Sequence, residues 1–205
     1  MQLLKRVFDF IASLIGLIIL FPLLMVISLL IIWKLGPPIF FTQIRPGQHA
    51  KPFRMIKFRT MTNARDKEGN LLPNEKRMTV FGSFLRSTSL DELPELINVL
   101  KGDMSLVGPR PLLMDYIPYF TPKQNRRHEA KPGITGWSQV NGRNAIDWDR
   151  KLELDVWYVE NWSFILDLKI LWQTIFKVIK RDDINYDKEI LMPRFDEYMI
   201  NKKKE

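Results

Sequence analysis

The distribution of hydrophobic and polar residues separates one long apolar segment from a series of shorter, mixed elements. Between Phe10 and Trp33 the chain has no charged residue and is almost wholly apolar. This length, about 24 residues, is enough for a helix to cross a bilayer. The segment is too long for a cleaved signal peptide and ends without a small-residue cleavage site. The pattern therefore predicts a membrane helix.

Two features of this segment argue against a simple crossing. Pro22 lies at its middle, where it removes a helix hydrogen bond and favours a kink. Lys5 and Arg6 precede the segment and Lys34 follows it, so the positive-inside bias gives no orientation. A segment that enters the membrane, bends at Pro22 and returns to the same face satisfies both observations. A spanning helix and a buried soluble helix remain the alternatives.

A bend at this proline would free one backbone carbonyl inside the membrane, where it needs a polar partner. Ser13 and Ser28 are the candidates for that hydrogen bond. Asp9 is an acid near the membrane interface. It is predicted to pair with Lys5 or Arg6, because residues three and four apart are neighbours on a helix.

Short strands are predicted after the apolar segment. Residues 36–47 indicate a turn, a short strand and a second turn, and residues 53–61 alternate as a strand. In the second strand Lys57 and Arg59 point to the same face, because side chains alternate along a strand. They are either solvated charges at a sheet edge or ligands for an anion.

An acidic pair, Asp91 and Glu92, lies between two predicted helices over residues 80–86 and 90–100, with Gly102 as the helix stop. Adjacent carboxylates can hold a divalent metal or attack a phosphorus atom. They can also be purely structural, because Ser89 and Glu92 have the spacing of a capping box at the start of a helix. The local sequence leaves these three uses open.

The last third of the chain contains a glycine-rich, basic loop followed by aromatic helices. The loop over residues 122–144 carries Arg143, and arginine forks match phosphate oxygens. Residues 147–181 are largely helical, amphipathic, aromatic and basic. They either pack in the core or lie at the level of the lipid headgroups. The lysine-rich end, residues 201–205, is expected to be disordered and attracted to anionic lipid.

Charge and cysteine content narrow the class of partner. The chain has 31 Lys and Arg against 23 Asp and Glu, a formal net charge of +8. The partner is therefore expected to be anionic: a phosphate, a nucleic acid or an acidic membrane surface. The absence of cysteine excludes disulfides and thiolate zinc sites and suits a reducing compartment. The sequence contains no Walker loop, dinucleotide-binding glycine turn or serine triad.

The acidic pair gains a chemical context from nearby cations. Cations attract phosphates and keep an adjacent carboxylate ionised. An ionised carboxylate can bind Mg²⁺, or it can attack phosphorus and form an acyl phosphate. The candidate phosphate- and nucleotide-binding cations are Lys57, Arg59, Arg86, Arg110 and Arg143.

Six motifs follow one another along the chain: KRVFDF, FTQIRPG, FRMIKFRTM, RSTSLDELPELINVLKGDMSLVGPRPL, KPGITGWSQVNGRN and ELDVWYVENWSFILDLKIL. Together they resemble the bacterial sugar transferases, the small monotopic phosphoglycosyl transferases. The resemblance covers roughly residues 3–182. One departure is visible at Phe21-Pro22, where close relatives have Ser-Pro.

This resemblance implies an activity. The enzyme would transfer a sugar-1-phosphate, that of an N-acetylated amino sugar, from a UDP-sugar to undecaprenyl phosphate and release UMP. It would begin a bacterial glycan, such as a glycoprotein, O-antigen, capsule or exopolysaccharide chain. The resemblance to the enzyme that starts protein glycosylation is especially close. The expected location is the cytoplasmic face of the inner membrane, with monotopic attachment and anionic lipids as further partners.

The same resemblance assigns roles to individual residues. Asp91 would be the nucleophile that forms a covalent phosphosugar intermediate. Glu92 would support metal binding and geometry, so Asp91 and Glu92 are also the expected ligands of the cofactor Mg²⁺. Arg110 would bind an anion, and Lys57 and Arg143 would contact phosphate or nucleotide.

The expected fold is α/β, mostly helical with short strands. Residues 1–35 would form the re-entrant helix kinked at Pro22, residues 36–185 a compact cytoplasmic domain with amphipathic interfacial helices, and residues 186–205 a tail. Two other classes of function remain as alternatives: a nucleic-acid-binding protein with a membrane anchor, and a membrane-anchored scaffold. The basic charge permits the first, but no nucleic-acid-binding motif is present and the acidic pair would be unexplained.

Overall fold

The computed structural model describes residues 2–142, 146–180 and 193–202. The first helix, α1, spans Gln2–Leu35 and continues without interruption through Pro22. The predicted kink at Pro22 stays a prediction. The other helices described are α2 (Asn74–Arg77), α3 (Val80–Ser87), α4 (Glu95–Lys101), α5 (Pro122–Asn125), α6 (Trp137–Val140), α7 (Trp148–Glu160), α8 (Phe164–Lys180) and α9 (Phe195–Lys202).

Four short strands are described, in two pairs. Strands β1 (Phe40–Pro46) and β2 (Pro52–Phe58) form an antiparallel hairpin. Strands β3 (Ser105–Val107) and β4 (Gly133–Thr135) pair in parallel. The predicted class, mostly helical with short strands and a compact domain after an apolar helix, is confirmed.

Helix α1 lies against the rest of the molecule along one face. Asp9, Ser13, Ile27 and Ile31 are buried along that face, spaced as expected for one side of a helix. The opposite face is apolar and exposed from Leu3 onward. Helix α1 is the one described helix that is long and apolar enough to cross a membrane, and it is therefore a candidate membrane anchor.

Both ends of α1 are fastened through the carboxyl end of a helix. Near its start, the Arg6 guanidinium donates to the carbonyls of Val99 and Leu100, over 2.6 and 2.7 Å, at the end of α4. At its end, Arg59 donates to the carbonyls of Leu35, over 2.7 Å, and Gly36. These guanidinium groups donate to carbonyls at helix ends, where cations are favoured.

The polar residues of α1 do not make the predicted contacts. Asp9 accepts from the backbone N–H of Leu106 over 3.1 Å, so the prediction that it pairs with Lys5 or Arg6 is wrong. Lys5 instead donates to Asp167, over 2.5 Å. The buried Asp9 carboxylate therefore accepts from a backbone N–H of β3 and not from a side chain of its own helix.

The two serines of α1 also differ from prediction. The Ser13 hydroxyl donates to the carbonyl of Phe10 over 3.1 Å, and that of Ser28 to the carbonyl of Leu24 over 2.7 Å. Each serine bonds back to its own helical turn. Neither therefore reaches the carbonyl four residues before Pro22.

One hydrophobic cluster connects α1 to the elements that carry candidate site residues. Ile27, Ile31 and Leu35 of α1 pack with Phe58 at the end of β2 and Leu85 of α3. Burying one such side chain contributes about 1.5–3 kcal/mol, so the cluster is a firm support. The cluster therefore brings the residues that adjoin Phe58 in the sequence close to those that adjoin Leu85.

The predicted elements near the acidic pair are partly confirmed. The helix over residues 80–86 is present as α3. The helix predicted over residues 90–100 is divided into a 3₁₀ turn, Leu90–Glu92, and α4, because Pro94 lies between them. Gly102 ends α4 with φ of 93°, as predicted for a helix stop. The strand predicted over residues 53–61 ends at Phe58.

The aromatic helices have a buried side, as core packing predicts, and an exposed apolar side. Tyr158 and Ile170 are buried in the core. Ile165, Trp172 and Ile175 form an exposed apolar stripe on α8. The predicted amphipathic helix is therefore present, and its location at a membrane stays a prediction.

Helix α9 lies within the predicted tail, residues 186–205. Phe195 at its start is fully buried against Tyr116 and Trp148. The described part of the tail is therefore folded against the domain.

Candidate active site

A strained turn presents the acidic pair. Ser89 has a left-handed backbone, with φ of 56°, which is unfavourable for a residue other than glycine. Its side chain makes no capping hydrogen bond, so the capping box predicted for Ser89 and Glu92 is not formed. Such strain persists only where the surroundings impose it, and it is common at functional sites.

The Glu92 carboxylate is held by two cations from distant parts of the chain. Lys57 Nζ donates to Glu92 Oε1 over 2.7 Å. The Arg110 guanidinium donates to both oxygens, including Oε2 over 3.3 Å. Burial opposes ionisation, but the charges and hydrogen bonds of Arg110 and Lys57 outweigh it and hold the pKa of Glu92 below its usual value. Glu92 is therefore a permanent anion.

Asp91 has a different environment from its neighbour. It is 8 % exposed, and its carboxylate accepts no hydrogen bond from any residue the structure describes. Burial, and next the negative charge of Glu92, raise the pKa of Asp91 to about 6, against the opposing effect of Lys57, Arg110 and Arg86. A carboxylate that is buried, open on one side and titrates near neutrality is a candidate for chemistry.

A third carboxylate, Glu95, belongs to the same cluster and was not predicted. Its Oε1 lies 3.1 Å from Lys57 Nζ. Burial, and next the charge of Glu92, raise the pKa of Glu95 well above the range of an ordinary glutamate. The sequence signal was the spacing of three between Glu92 and Glu95, which turns both side chains toward one side of a helical segment.

The structure brings the described candidates together around one polar cavity of about 580 Å³. Arg86 Nε donates a hydrogen bond to the Thr60 hydroxyl over 3.0 Å. Arg143 lies outside the described residues. The candidates that line the cavity are Lys57, Arg59, Arg86, Asp91, Glu92 and Arg110.

Arg59 lines this cavity, but Nη2 of its guanidinium is used elsewhere. It is 6 % exposed and donates to the carbonyls that end α1. Strand β2 has ended one residue earlier, so the alternation that put Lys57 and Arg59 on one face no longer applies. The structure gives Arg59 a role in fastening α1, and its contact with an anion stays a prediction.

A buried ion pair between Arg127 and Asp155 holds the backbone of Arg110. Arg127 donates to Asp155 Oδ2 from Nε over 3.1 Å and from Nη2 over 2.7 Å. The same Nη2 donates to the backbone carbonyl of Arg110 over 2.7 Å, and the Ser138 hydroxyl donates to Asp155 Oδ1 over 2.6 Å. The sequence did not single out Arg127, because nothing local distinguishes it from Arg126.

The donor set for a metal ion is small. Among the described residues no group of three or more acidic or histidine side chains is placed to hold one. Both oxygens of Glu92 already accept from Arg110. The Asp91 carboxylate remains, and it fits Mg²⁺ as a single ligand beside substrate phosphates, since Mg²⁺ commonly binds through one or two carboxylates and keeps several waters.

The fold and the cluster thus define a class of protein: a compact domain with an apolar anchor helix and an acidic pair set among cations. Comparison with known proteins gives this class a family. The family model described as bacterial sugar transferase matches residues 1–181. The chain belongs to the bacterial sugar transferase family.

Individual relatives cover the chain to different extents. It is 56% identical to the uncharacterized sugar transferase EpsL of Bacillus subtilis, over 95% of this chain and 96% of the relative. It is 41% identical to the undecaprenyl-phosphate galactose phosphotransferase of Salmonella typhimurium, over 88% of this chain. It is 42% identical to the UDP-glucose:undecaprenyl-phosphate glucose-1-phosphate transferase of Klebsiella pneumoniae, over 84% of this chain. The match spans 41% and 39% of the length of the last two proteins.

Proposed function

We propose that this protein transfers a sugar-1-phosphate from a UDP-sugar to undecaprenyl phosphate and releases UMP. The observation that carries the proposal is Asp91: a buried carboxylate that accepts no hydrogen bond within the described residues, beside three cations. The relatives named for undecaprenyl-phosphate sugar phosphotransfer support the same reaction class.

In the first step, Asp91 Oδ attacks the sugar-linked phosphorus of the donor. A carboxylate–phosphorus bond forms, and the bond from that phosphorus to the bridging oxygen breaks. UMP leaves with the electron pair, and the sugar phosphate stays on Asp91 as an acyl phosphate.

In the second step, a phosphate oxygen of undecaprenyl phosphate attacks the same phosphorus. The acyl phosphate bond breaks, the Asp91 carboxylate is regenerated and a polyprenyl diphosphate sugar is released. The two displacements replace one direct reaction between two anionic phosphates.

The cations around the acidic pair make the attack of one anion on another feasible. Arg110 and Lys57 offset charge that develops on the phosphoryl oxygens, and Arg86 presents further N–H donors to the polar cavity. Glu92 keeps Arg110 and Lys57 in place and raises the basicity of Asp91. Magnesium, held by Asp91 and the donor phosphates, would neutralise part of the diphosphate charge when bound.

The proposed attachment to the membrane is monotopic. Both ends of α1 bond to the same domain, and α1 packs against that domain along one face. A helix held in this way and bent at Pro22 would enter a bilayer from one side and return, since a crossing would carry one end away from the domain. The exposed apolar stripes of α1 and α8 would contact lipid at the cytoplasmic face, where UDP-sugars are found.

This topology can be tested by labelling, because the chain has no native cysteine. Leu3→Cys and Lys34→Cys place a thiol at either end of α1. A membrane-impermeant maleimide is expected to label both in inside-out vesicles and neither in intact cells. Labelling of the two ends from opposite sides would mean a spanning helix.

The donor sugar is proposed as a UDP-hexose or a UDP-N-acetylamino sugar. The sugars named for the relatives differ, galactose in one and glucose in another. A panel of UDP-sugars, incubated with the full-length protein and undecaprenyl phosphate, would identify the donor by UMP release. Later steps of glycan assembly determine whether the final product is a glycoprotein, a polysaccharide or a capsule.

The decisive experiment omits the acceptor. With the donor alone, the wild-type protein should release about one equivalent of UMP, and mass spectrometry should find a phosphosugar on the peptide that contains Asp91. Asp91→Asn should fold and give neither signal. An adduct on another residue, or full turnover by Asp91→Asn, would overturn the covalent mechanism.

A further inference from the structure

A second cavity lies next to the polar one. Its volume is about 730 Å³ and its lining is mostly apolar surface. The wall includes Gly16 and Leu20 of α1, Leu96 of α4, and Leu171 and Ile175 of α8. Three helices that are far apart in sequence thus form the apolar part of the wall, and the turn before α4, β4, α6 and α7 complete it. The reaction with the nucleotide donor does not require such a space, since a nucleotide sugar is polar throughout.

The two cavities meet at the charged cluster. Arg86, Glu92 and Arg110 are the residues that line both of them. Asp91 lines the polar cavity only. The apolar cavity therefore ends at the same cations that the proposed reaction uses to bind phosphate.

We propose that the apolar cavity binds the acceptor: the first isoprene units lie among α1, α4 and α8, and the acceptor phosphate lies between Arg86 and Arg110. This inference rests on the proposed function. The acceptor consists of an anionic phosphate on a long hydrocarbon chain, which is the chemistry that a cavity with a cationic end and an apolar wall would select.

The cations at this end have donors to offer. Arg86 is exposed, and apart from the bond from its Nε to Thr60 its guanidinium makes no hydrogen bond within the described residues. Arg110 is engaged by Glu92, but its side chain is still 40% exposed. Two guanidinium groups on one phosphate form strong, charge-assisted hydrogen bonds.

The other end of the cavity is continuous with exposed apolar surface. Ile175 lines the cavity and is 52% exposed, so the cavity opens on the apolar stripe of α8. A hydrocarbon chain can leave the cavity along this surface into lipid without crossing water. The volume of the cavity suits only the first part of a polyprenyl chain, since pockets of about 300–1,000 Å³ hold drug-sized ligands.

Two adjacent positions on α1 supply a matched test. Leu20→Trp places bulk inside the cavity, whereas Ile19→Trp adds the same side chain on the exposed face. Both proteins are studied full length in nanodiscs with undecaprenyl phosphate. Leu20→Trp should lower sugar phosphate transfer to lipid at least tenfold, mainly through a raised KM for the acceptor. Release of UMP from donor alone should stay within twofold of wild type, and Ile19→Trp should match wild type in both assays.

Failure of this inference is distinguishable from failure of the proposed function. If the wild-type protein releases no UMP from donor alone and forms no adduct, the proposed function fails. If those signals are present but Leu20→Trp transfers to lipid as well as Ile19→Trp, the function stands and the acceptor site is elsewhere. Equal loss of both half-reactions in Leu20→Trp would also overturn the acceptor site.

A second measurement uses the unmodified chain and so does not depend on the folding of a variant. A short-chain polyprenyl phosphate with a diazirine on its second isoprene unit should label peptides that contain Leu20, Leu96 or Leu171. Excess undecaprenyl phosphate should suppress the label. Labelling restricted to exposed residues such as Ile19 or Trp172 would mean that the probe only partitions into lipid, and would overturn the proposal.

Discussion

Two buried ionic clusters lie on either side of Arg110, and they differ in how completely their polar atoms are paired. In the first, Arg127, Asp155 and Ser138 satisfy one another, and Asp155 accepts three hydrogen bonds. In the second, Lys57 and Arg110 hold Glu92, while Asp91 accepts no hydrogen bond within the described residues and Glu95 Oε1 has only its ion pair with Lys57.

This difference separates a support from a reactive centre. A fully paired buried cluster is rigid, because any displacement would leave a charge without its partner. A cluster with an unpaired carboxylate can still bind a ligand, and its carboxyl groups have shifted pKa values. Arg110 connects the two: its backbone carbonyl belongs to the first cluster and its guanidinium to the second.

The largest effect is expected from breaking the paired cluster. Arg127→Met would leave Asp155 as a buried charge without its cation and should cost roughly 3–5 kcal/mol of unfolding free energy. Urea unfolding followed by tryptophan fluorescence measures this loss. The double variant Arg127→Met, Asp155→Leu should recover most of it, since a paired charge and an apolar pair of similar size are often equivalent. A single variant as stable as wild type would show that the pair is not a support.

The next effect concerns the permanent anion of the reactive cluster. Glu92→Gln should lower turnover by about 10²–10³-fold, the usual cost of losing a group that organises charge at a reacting centre. Protein stability should change less than in Arg127→Met. The steady-state rate of UMP release with both substrates measures the change.

Glu95→Gln is the matched control for Glu92→Gln. Glu95 keeps its proton to a higher pH than a free glutamate, because burial and Glu92 raise its pKa. A neutral amide at this position should therefore reduce turnover much less. If the two variants were equally impaired, the assignment of Glu92 as the anion that positions Lys57 and Arg110 would be wrong.

The sequence predicted the members of the reactive cluster better than their partners. Asp91, Glu92 and Arg110 lie within 20 residues of one another, and one motif of the resemblance contains them all. The capping box was locally plausible for Glu92. It lost to two cations, Lys57 and Arg110, that the fold brings beside Glu92 and that bind a carboxylate more strongly than a backbone N–H does.

The supporting cluster could not be predicted from local pattern. Arg126 and Arg127 are adjacent in a basic loop, and only the packing of α7 decides that Arg127 is buried on Asp155 while Arg126 stays exposed. The predicted strand over residues 53–61 extended past Phe58 for a related reason: the end of a strand, unlike its alternation, depends on tertiary contacts such as that of Arg59 with α1. The apolar segment was the most predictable, because length and composition alone identify it.

A pH dependence sharpens the contrast between the clusters. The pKa of Asp91 is about 6, so UMP release from donor alone should fall by about tenfold per pH unit below 6 and level off above it. The same shift has the opposite sign for stability. The folded chain holds a proton that the unfolded chain loses near 3.8, so stability falls as pH rises from about 4 to 6.

Asp91→Asn provides the control for that sign. It should unfold at a higher temperature than wild type above pH 6, and the advantage should vanish below pH 4. A wild-type protein that is more stable than Asp91→Asn at pH 7 would mean that Asp91 is stabilised as an anion and is not poised for attack. A flat rate profile between pH 5 and 7 would contradict the assignment of Asp91 as the group that must ionise.

The smallest effect is expected from replacing Arg126, the neighbour of Arg127 in the sequence. Arg126 forms ion pairs with Glu129 and Glu160, as Arg127 does with Asp155, but its side chain and both partners are more than 40% exposed. Exposed pairs are screened by water and salt and contribute little. Arg126→Ala should therefore match wild type in both urea unfolding and UMP release, within the scatter between replicates. A loss comparable with that of Arg127→Met would show that burial is not what separates the two neighbouring arginines.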